Sequence, residues 1–589
     1  MGSRTKLYVR DAVGALPVRL RSHVPFLGLL ARYQRSWLRP DLIAGAAVAV
    51  SLVPQELAYA TLAGMPPMHG LYATIAALVA YALFGMSSHE AASPSAISSL
   101  LTFAALGSLA VPESSSYIQL AALLAVLVGG FRLLLGVLNA GMLANLLSRS
   151  VLTGFTSGAG VLIAVSQLPD LLGAEAARGG GDVIEAMEGL IAAAAGTVWP
   201  ALVMGAVGLA VLLVFRRHLG VSMLATVTVA TVLTWALRLD RLGVPIVGEV
   251  PTGLPGPRVP WADLRTVRSL LPTAFVLALV GYLEGLASSR AIAAQSGERI
   301  LPNRELFAYG WVSVAAGLFR GFPVGGSFST TAINHRSGGR SQLSNVFAAG
   351  YIAIVVLGGA PALRFLPRPV LAAIVLAAVT NLIDLPSIRE ALRITRTDAT
   401  ALVATFLGTL LLGVETGFLV GAGTNLVLHL SGDIRPPVPE IGRVEGSTHF
   451  RDVGRFPTRT QRDVAILRLD APLLFLNAGT FDDRVNRLLA ERPDLKGLVL
   501  DMSSVTDIDA TGVHALTGLL TLASEADVEV RLARVLGGVR SRLRRARLWD
   551  EVFVPIVYPS LPDALAALSP LAETLRTPQE GEDTTHDIL

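Results

Sequence analysis

The stretch Pro323-Val324-Gly325-Gly326-Ser327-Phe328-Ser329-Thr330-Thr331-Ala332-Ile333-Asn334 decides the fold. It lies among long apolar segments, yet Gly and hydroxyl side chains fill it. Extended backbone at membrane depth survives only where protein or a water-filled cavity satisfies its N–H and C=O groups. The order of residues predicts an extended approach over Pro323 to Gly326 and a helix starting near Ser327 or Phe328. The first N–H groups of such a helix lack intrahelical partners and would offer an anion a site inside the membrane.

A second stretch, Ser93-Pro94-Ser95-Ala96-Ile97-Ser98-Ser99, has the same character. It also interrupts an apolar region, and a Pro precedes its hydroxyl cluster. Transporters built from inverted repeats often carry two broken segments at corresponding places, with half-helix ends facing one site near the midplane. Two ordinary polar loops between helices are the alternative reading.

Composition sets the class. Of 589 residues, 52% are hydrophobic and 16% charged, and mean hydropathy is +0.58. Soluble domains carry about a quarter charged residues, so a polytopic membrane protein is expected. Cys is absent, which excludes disulfides, thiolate metal sites and cysteine nucleophiles. Residues 1–40 form a basic arm with Arg4, Lys6, Arg10, Arg19, Arg21, Arg32, Arg35 and Arg39 against Asp11. The arm reads as cytoplasmic; no removed signal peptide is expected, and the hydrophobic bulk behind it argues against nucleic acid.

Apolar spans follow over Asp41–Leu62, Gly70–Gly85, Ala96–Ala110, Tyr117–Leu138, Leu152–Leu172, Pro200–Phe215 and Val221–Leu237. A second set runs Leu271–Ile292, Leu306–Phe319, Phe328–Asn334 onward, Phe347–Leu357, Val370–Leu382, Ala399–Leu412 and Thr416–Leu430. That gives about seven spans in each half, the broken one third in each, and the shorter ones must be broken or tilted. The transport domain is expected over 41–431, with repeats at about 41–240 and 265–431. With the first arm inside, the Arg-rich turns at Arg149, Arg216, Arg299, Arg336 and Arg389 fall inside as well. The loop around Glu175, Asp182, Glu185 and Glu188 falls outside; the Arg-bearing connector Gly243–Arg268 also does, against the rule. Residues 432–460 read as a linker, and 461–569 alternate strands and helices as an α/β domain. Residues 570–589 read as an acidic disordered tail.

Val53-Pro54-Gln55-Glu56-Leu57-Ala58-Tyr59-Ala60, then Leu62 to Pro67 and Gly70-Leu71-Tyr72, resemble the signature of the sulfate permease (SulP) family, the bacterial and plant relatives of the animal anion exchangers and prestin. Gly85 to Leu100 and Gly321 to Ser341 resemble its later blocks, and the soluble part resembles a STAS domain. The resemblance implies about fourteen segments as two inverted repeats of seven, a core of segments one to four and eight to eleven, a gate from the rest, and a cytoplasmic STAS domain. It implies a dimer in the inner membrane and an anion held between the third and tenth segments. The matching positions are Gln55 and Tyr59, Pro94, Ser95 and Ala96, and Ser327, Phe328, Ser329 and Thr330, with Glu284 on the eighth segment. Gln55 and Tyr59 stand at i and i+4, so one helix face presents both. Many relatives carry Arg where this chain has Thr330, and a small neutral residue where it has Glu56.

Such a site binds an anion with N–H groups and hydroxyls rather than a full positive charge, which suits release as well as capture. Glu284 lies mid-span in Val280 to Leu286, and an ionisable group at that depth is a functional candidate by default. An anion bound beside it would favour uptake of a proton, the physics of symport. The structural alternatives are a helix cap or a pair with Arg290. Glu56 is a second coupling candidate, or a residue facing the gate or the outer water. In the soluble domain, Asp507-Ile508-Asp509-Ala510-Thr511-Gly512 resembles the phosphorylated loop of anti-sigma-factor antagonists, with Thr511 as acceptor; a plain cap by Asp509 is the competing reading. Arg540, Arg542, Arg544, Arg545 and Arg547 could contact anionic lipid or form a solvated face.

The function expected is secondary transport of a sulfate-type oxyanion, coupled to protons, by alternating access. Sodium-coupled bicarbonate or dicarboxylate transport, a nucleobase carrier of the same fold class, and a membrane-anchored STAS scaffold with an inert core are the alternatives. No enzymatic constellation, cofactor or metal site is expected: the His residues are scattered.

Overall fold

The structure, a computed structural model, describes residues 25–145, 148–174, 181–216, 219–249 and 253–568. The first half of the basic arm and the acidic tail therefore lie outside the described residues. The chain divides into two compact units, Met1–Leu426 and Val427–Leu589.

After a short helix α1 (Pro25–Arg32), the first unit repeats one series of helices. The first pass is α2 (Arg35–Leu62), α3 (Met68–Phe84), α4 (Ala96–Leu106), α5 (Ser115–Val137), α6 (Arg149–Leu172), α7 (Val183–Ala194), α8 (Trp199–Val214) and α9 (Leu219–Leu237). The second is α10 (Leu264–Ser296), α11 (Pro302–Leu318), α12 (Phe328–Arg336), α13 (Leu343–Leu363), α14 (Arg368–Val379), α15 (Leu385–Ile394), α16 (Arg396–Leu411) and α17 (Val414–Ile434). The third helix is short in both passes, 11 and 9 residues. Among the described residues, 5 helices are long and apolar enough to cross a membrane.

The sixth helix of each pass, α7 and α15, stands where the sequence reads as a loop or turn. At 12 and 10 residues, neither can span a bilayer. Ile184, Met187 and Ile191 of α7 are exposed at near-helical spacing, as are Leu385 and Leu392 of α15. Such short, one-sided helices suit a membrane surface, which explains why a search for spanning segments passes over them.

Two bundles result. Helices α2 to α5 pack with α10 to α13, and α6 to α9 with α14 to α17; α2 joins the two through α9 and α14. Core and gate thus have the membership that the resemblance implies. Small residues allow the closest helix pairs. A Cβ on Gly129 of α5 would stand 2.7 Å from the Gly310 carbonyl of α11, so the two backbones touch directly.

The second unit holds a parallel sheet β4-β5-β6-β7, formed by Val464–Arg468, Gly497–Asp501, Glu529–Ala533 and Val557–Tyr558. Helices α18 (Ala478–Glu491), α19 (Ala510–Glu525) and α20 (Gly537–Arg545) connect these strands, and α21 (Leu561–Ala566) follows. Strand β5 is buried along its whole length, as its continuous apolar run predicts. Phe481, Leu488, Leu498, Leu500, Leu516 and Leu519 form the core between sheet and helices. The segment read as a linker instead carries a small antiparallel sheet, β1 (Ile441–Val444), β2 (Phe450–Asp452) and β3 (Thr458–Arg459), in the order β2-β1-β3. Its strands are two to four residues long, too short to leave a periodic signal.

Candidate anion site between two half-helices

The approaches to α4 and α12 meet. The Gly325 N–H donates to the Ser93 carbonyl at 3.1 Å, and the two residues form an antiparallel bridge. Backbone groups that would otherwise be orphaned in the membrane thereby satisfy each other. The same bridge brings the amino end of α4 beside that of α12, so their partial positive charges, about half a unit each, converge.

Each helix starts at a Ser. Ser95 caps α4: its Oγ accepts from Ser98 N–H at 3.1 Å, while Ser98 Oγ accepts from Ser95 N–H at 2.8 Å. Ser327 caps α12, its Oγ accepting from Thr330 N–H at 3.5 Å, with Ser329 Oγ 3.2 Å away. Helix geometry leaves the N–H groups of Ala96, Ile97, Phe328 and Ser329 without helical acceptors. Phe328 and Ser329 are exposed; Pro94 and Ala96 are buried. Thr330 is fully buried and turns its hydroxyl back to the Ser327 carbonyl at 3.4 Å, so it brings no charge to the site.

Glu284 reaches this point from α10. Ser95 Oγ donates to Glu284 Oε2 at 2.9 Å, and the carboxylate is half-buried. Its partner is the cap of a neighbouring helix, while Arg290 is exposed. A Cβ on Gly325 would stand 2.9 Å from Glu284 Oε2, so a side chain there would push the carboxylate aside. Gln55 and Tyr59 are both buried at 6% exposure; Tyr59 neighbours Gln55 and lies within charge range of Glu284. Helix α2, which bears them, packs on both α4 and α12. Glu56, one residue on, is fully buried and thus closed to outer water, with the hydroxyls of Ser93 and Thr74 nearest its carboxylate.

Three ionisable residues at this depth escaped the sequence reading. Arg132 of α5 is 1% exposed and donates to the carbonyls of Leu277, Ala278 and Val324 at 3.1, 3.1 and 2.8 Å, and to Ser313 Oγ at 2.6 Å. It ties α10, α11 and the approach to α12 into one body. Glu90 and Glu305 are both fully buried on the far side of that approach. The rule that selected Glu284 would have selected Arg132, which interrupts the apolar run Phe131-Arg132-Leu133-Leu134. Among the described residues, no group of three His, Asp or Glu could hold a metal ion.

In the second unit, Asp509 caps α19, its carboxylate accepting from Gly512 N–H and Phe475 N–H, both at 2.8 Å. Thr511 is exposed on the first turn of that helix.

Comparison with known proteins identifies the family and the fold. The sulfate permease family model matches residues 38–405, and the STAS domain model matches 455–564. A probable sulfate transporter of Mycobacterium tuberculosis is 35% identical over 539 residues, covering 91% of this chain and 96% of its own. The chloroplastic sulfate transporter 4.1 of Arabidopsis thaliana is 32% identical over 536 residues, covering 88% and 78%. Among solved structures, the murine Solute Carrier 26 family member A9 anion transporter in its inward-facing state superposes with a TM-score of 0.86 at 23% identity, over 95% of both chains. The membrane domain of the cyanobacterial bicarbonate transporter BicA gives 0.58 at 23% identity, over 67% of this chain and 98% of its own. With the family model, the order of its two domains and the similar relatives in agreement, the chain belongs to the sulfate permease family, a multi-pass membrane transporter followed by a STAS domain.

Proposed function

We propose that the protein moves a sulfate-type oxyanion together with protons, the anion resting between the amino ends of α4 and α12. The relatives named sulfate transporters support the substrate class. The observation that carries the coupling is the 2.9 Å hydrogen bond from Ser95 Oγ to Glu284 Oε2. A hydroxyl has one proton to give. While Glu284 is ionised, it takes that proton and places a negative charge at the mouth of the site. Once Glu284 is protonated, the charge is gone, Ser95 is free to donate to the anion, and the carboxyl O–H becomes a further donor. Anion and proton therefore favour each other's binding, and by linkage the effect is mutual.

The remaining donors are the N–H groups of Ala96, Ile97, Phe328 and Ser329 and the hydroxyl of Ser329, with Gln55 and Tyr59 closing the side formed by α2. Release follows as one bundle moves against the other and water reaches the anion. Both termini are placed on the cytoplasmic side of the inner membrane, because the Arg-rich turns then obey the charge rule. A homodimer and contact with anionic lipid complete the proposal, the first on family resemblance and the second on the basic face of α20.

The test is uptake of labelled sulfate into proteoliposomes under imposed proton and sodium gradients. A proton gradient should drive accumulation. Glu284→Gln should still bind sulfate but lose that accumulation; undiminished accumulation in the variant refutes the role of Glu284, and accumulation driven by sodium alone refutes proton coupling.

A further inference from the structure

Behind the anion site, the fully buried Glu90 and Glu305 stand either side of one hydroxyl. Ser289 Oγ lies 3.3 Å from Glu90 Oε2 and 3.0 Å from Glu305 Oε1. The other partners of Glu90 are Tyr309 O–H at 2.7 Å and Thr331 Oγ1 at 3.0 Å. Those of Glu305 are Tyr81 O–H and the Met86 N–H at 3.3 Å. All of these partners are neutral. Ser289 has one proton and two carboxyl groups to satisfy. Two ionised carboxylates would leave one of its contacts as a lone pair facing a lone pair, in a setting where an unmatched charge is costly. A single added proton resolves the arrangement: one carboxyl donates to Ser289 Oγ, and Ser289 donates to the other.

We propose that Glu90 and Glu305 form a proton-sharing pair across Ser289, a second proton site of the transporter beside the one assigned to Glu284. The shared proton passes between the carboxyls through the hydroxyl, which accepts one proton as it gives up another, so the pair keeps one negative charge throughout. Two strand positions link the pair to the anion. A Cβ on Gly326 would stand 2.8 Å from Glu90 Oε1, and one on Gly325 would stand 2.9 Å from Glu284 Oε2. Successive residues of an extended strand point to opposite faces, so the two carboxylates flank the same backbone from opposite sides. A change of charge on one is therefore felt by the other and by the anion between the helix ends. On its other flank the pair leads toward solvent. Ser87 N–H donates to Tyr81 O–H at 3.4 Å, and Ser87 Oγ donates at 3.4 Å to Glu298, which is partly exposed. The remaining titratable neighbours are His89, 3.8 Å from Glu298, His335, whose ring meets that of His89 edge-on, and Arg132, whose guanidinium lies 5.7 Å from the centre of the Tyr309 ring.

This inference rests on the proton-coupled reading above, but infrared spectroscopy separates the two. Difference spectra of the full-length protein, recorded with and without sulfate and on deuterium exchange, report protonated carboxyl groups directly. A protonated-carboxyl band is expected to remain in Glu284→Gln, where Glu284 itself contributes none, and to be lost when either Glu90→Gln or Glu305→Gln is added to that variant. Ser289→Ala keeps both carboxyls and a milder fold, and should shift the band by removing its hydrogen-bond partner. Absence of the band from Glu284→Gln, its survival when either Glu90→Gln or Glu305→Gln is added to that variant, or an unmoved band when Ser289→Ala is added would each overturn the pair. In proteoliposomes, Ser289→Ala should lower the ratio of proton-driven accumulation to sulfate exchange by about a hundredfold, the low end of what a positioned proton-transfer group contributes. Where a proton gradient drives accumulation in the wild type, an unchanged ratio in Ser289→Ala overturns the pair. A persistent band without any proton-driven accumulation in the wild type would sink the coupling reading and leave the pair standing.

Discussion

Single residues carry this membrane domain further than their number suggests. Arg132 holds four backbone carbonyls and a hydroxyl with one planar fork, a geometry Lys cannot reproduce. Arg132→Lys should lower thermal stability of the detergent-solubilised protein by about 2 kcal/mol, and Arg132→Ala by more, since each leaves buried carbonyls without donors. A melting curve unchanged in Arg132→Ala would show that those bonds do not hold the bundle. Glu284 was legible because it breaks an apolar run at helix centre, and Gln55 and Tyr59 through a signature block. Glu90 and Glu305 were not. They stand near span ends, where a charged residue is ordinarily solvated, and only the fold turns them inward onto Ser289. Glu56 was visible as an oddity, but its complete burial could not be read from a helix with apolar residues on every face.

Among the elements, the extended approach to α12 is the most constrained. A methyl on Gly326 would collide with Gly285 of α10 and crowd Glu90. Gly326→Ala should therefore push α12 away from α10 and reduce sulfate binding by about tenfold or more, measured by equilibrium binding, since overpacking of this kind costs about 1 to 3 kcal/mol. Near wild-type affinity would mean that the strand is free to shift. The broken third helix was legible in both halves because Pro, Gly and Ser interrupt hydrophobic runs. Short surface helices α7 and α15 were not, since neither can cross a bilayer and both mix apolar with charged residues.

In the soluble unit, Asp509 ties the start of α19 to the loop after β4. Burial works against its charge, yet N–H groups of Gly512, Phe475 and Thr511 hold its carboxylate below the usual range. A depressed folded-state value means the cap stabilises above the unfolded value of about 3.9 and is lost as pH falls through the lower folded value. Asp509→Ala should cost about 1 kcal/mol, read as faster amide exchange at Gly512 and Phe475. Unaltered exchange at those two amides would show that the cap is idle.

At the scale of the molecule, hydropathy and two matching interruptions were enough to read a repeated membrane domain and an α/β domain behind it. Packing into two bundles is the physical consequence: half-helices need neighbours on every side, and the helices around them form one bundle and the rest another. The short strands of the second unit, by contrast, took shape only through long-range pairing with one another. The central claim is that α4 and α12 aim their amino ends at one anion. Selenate, an isosteric oxyanion with an anomalous scatterer, tests it in crystals of the full-length protein. The account predicts a selenium peak within about 4 Å of the N–H groups of Ala96 and Ser329 together. A peak bound to only one helix end, or one elsewhere in the bundle, contradicts it.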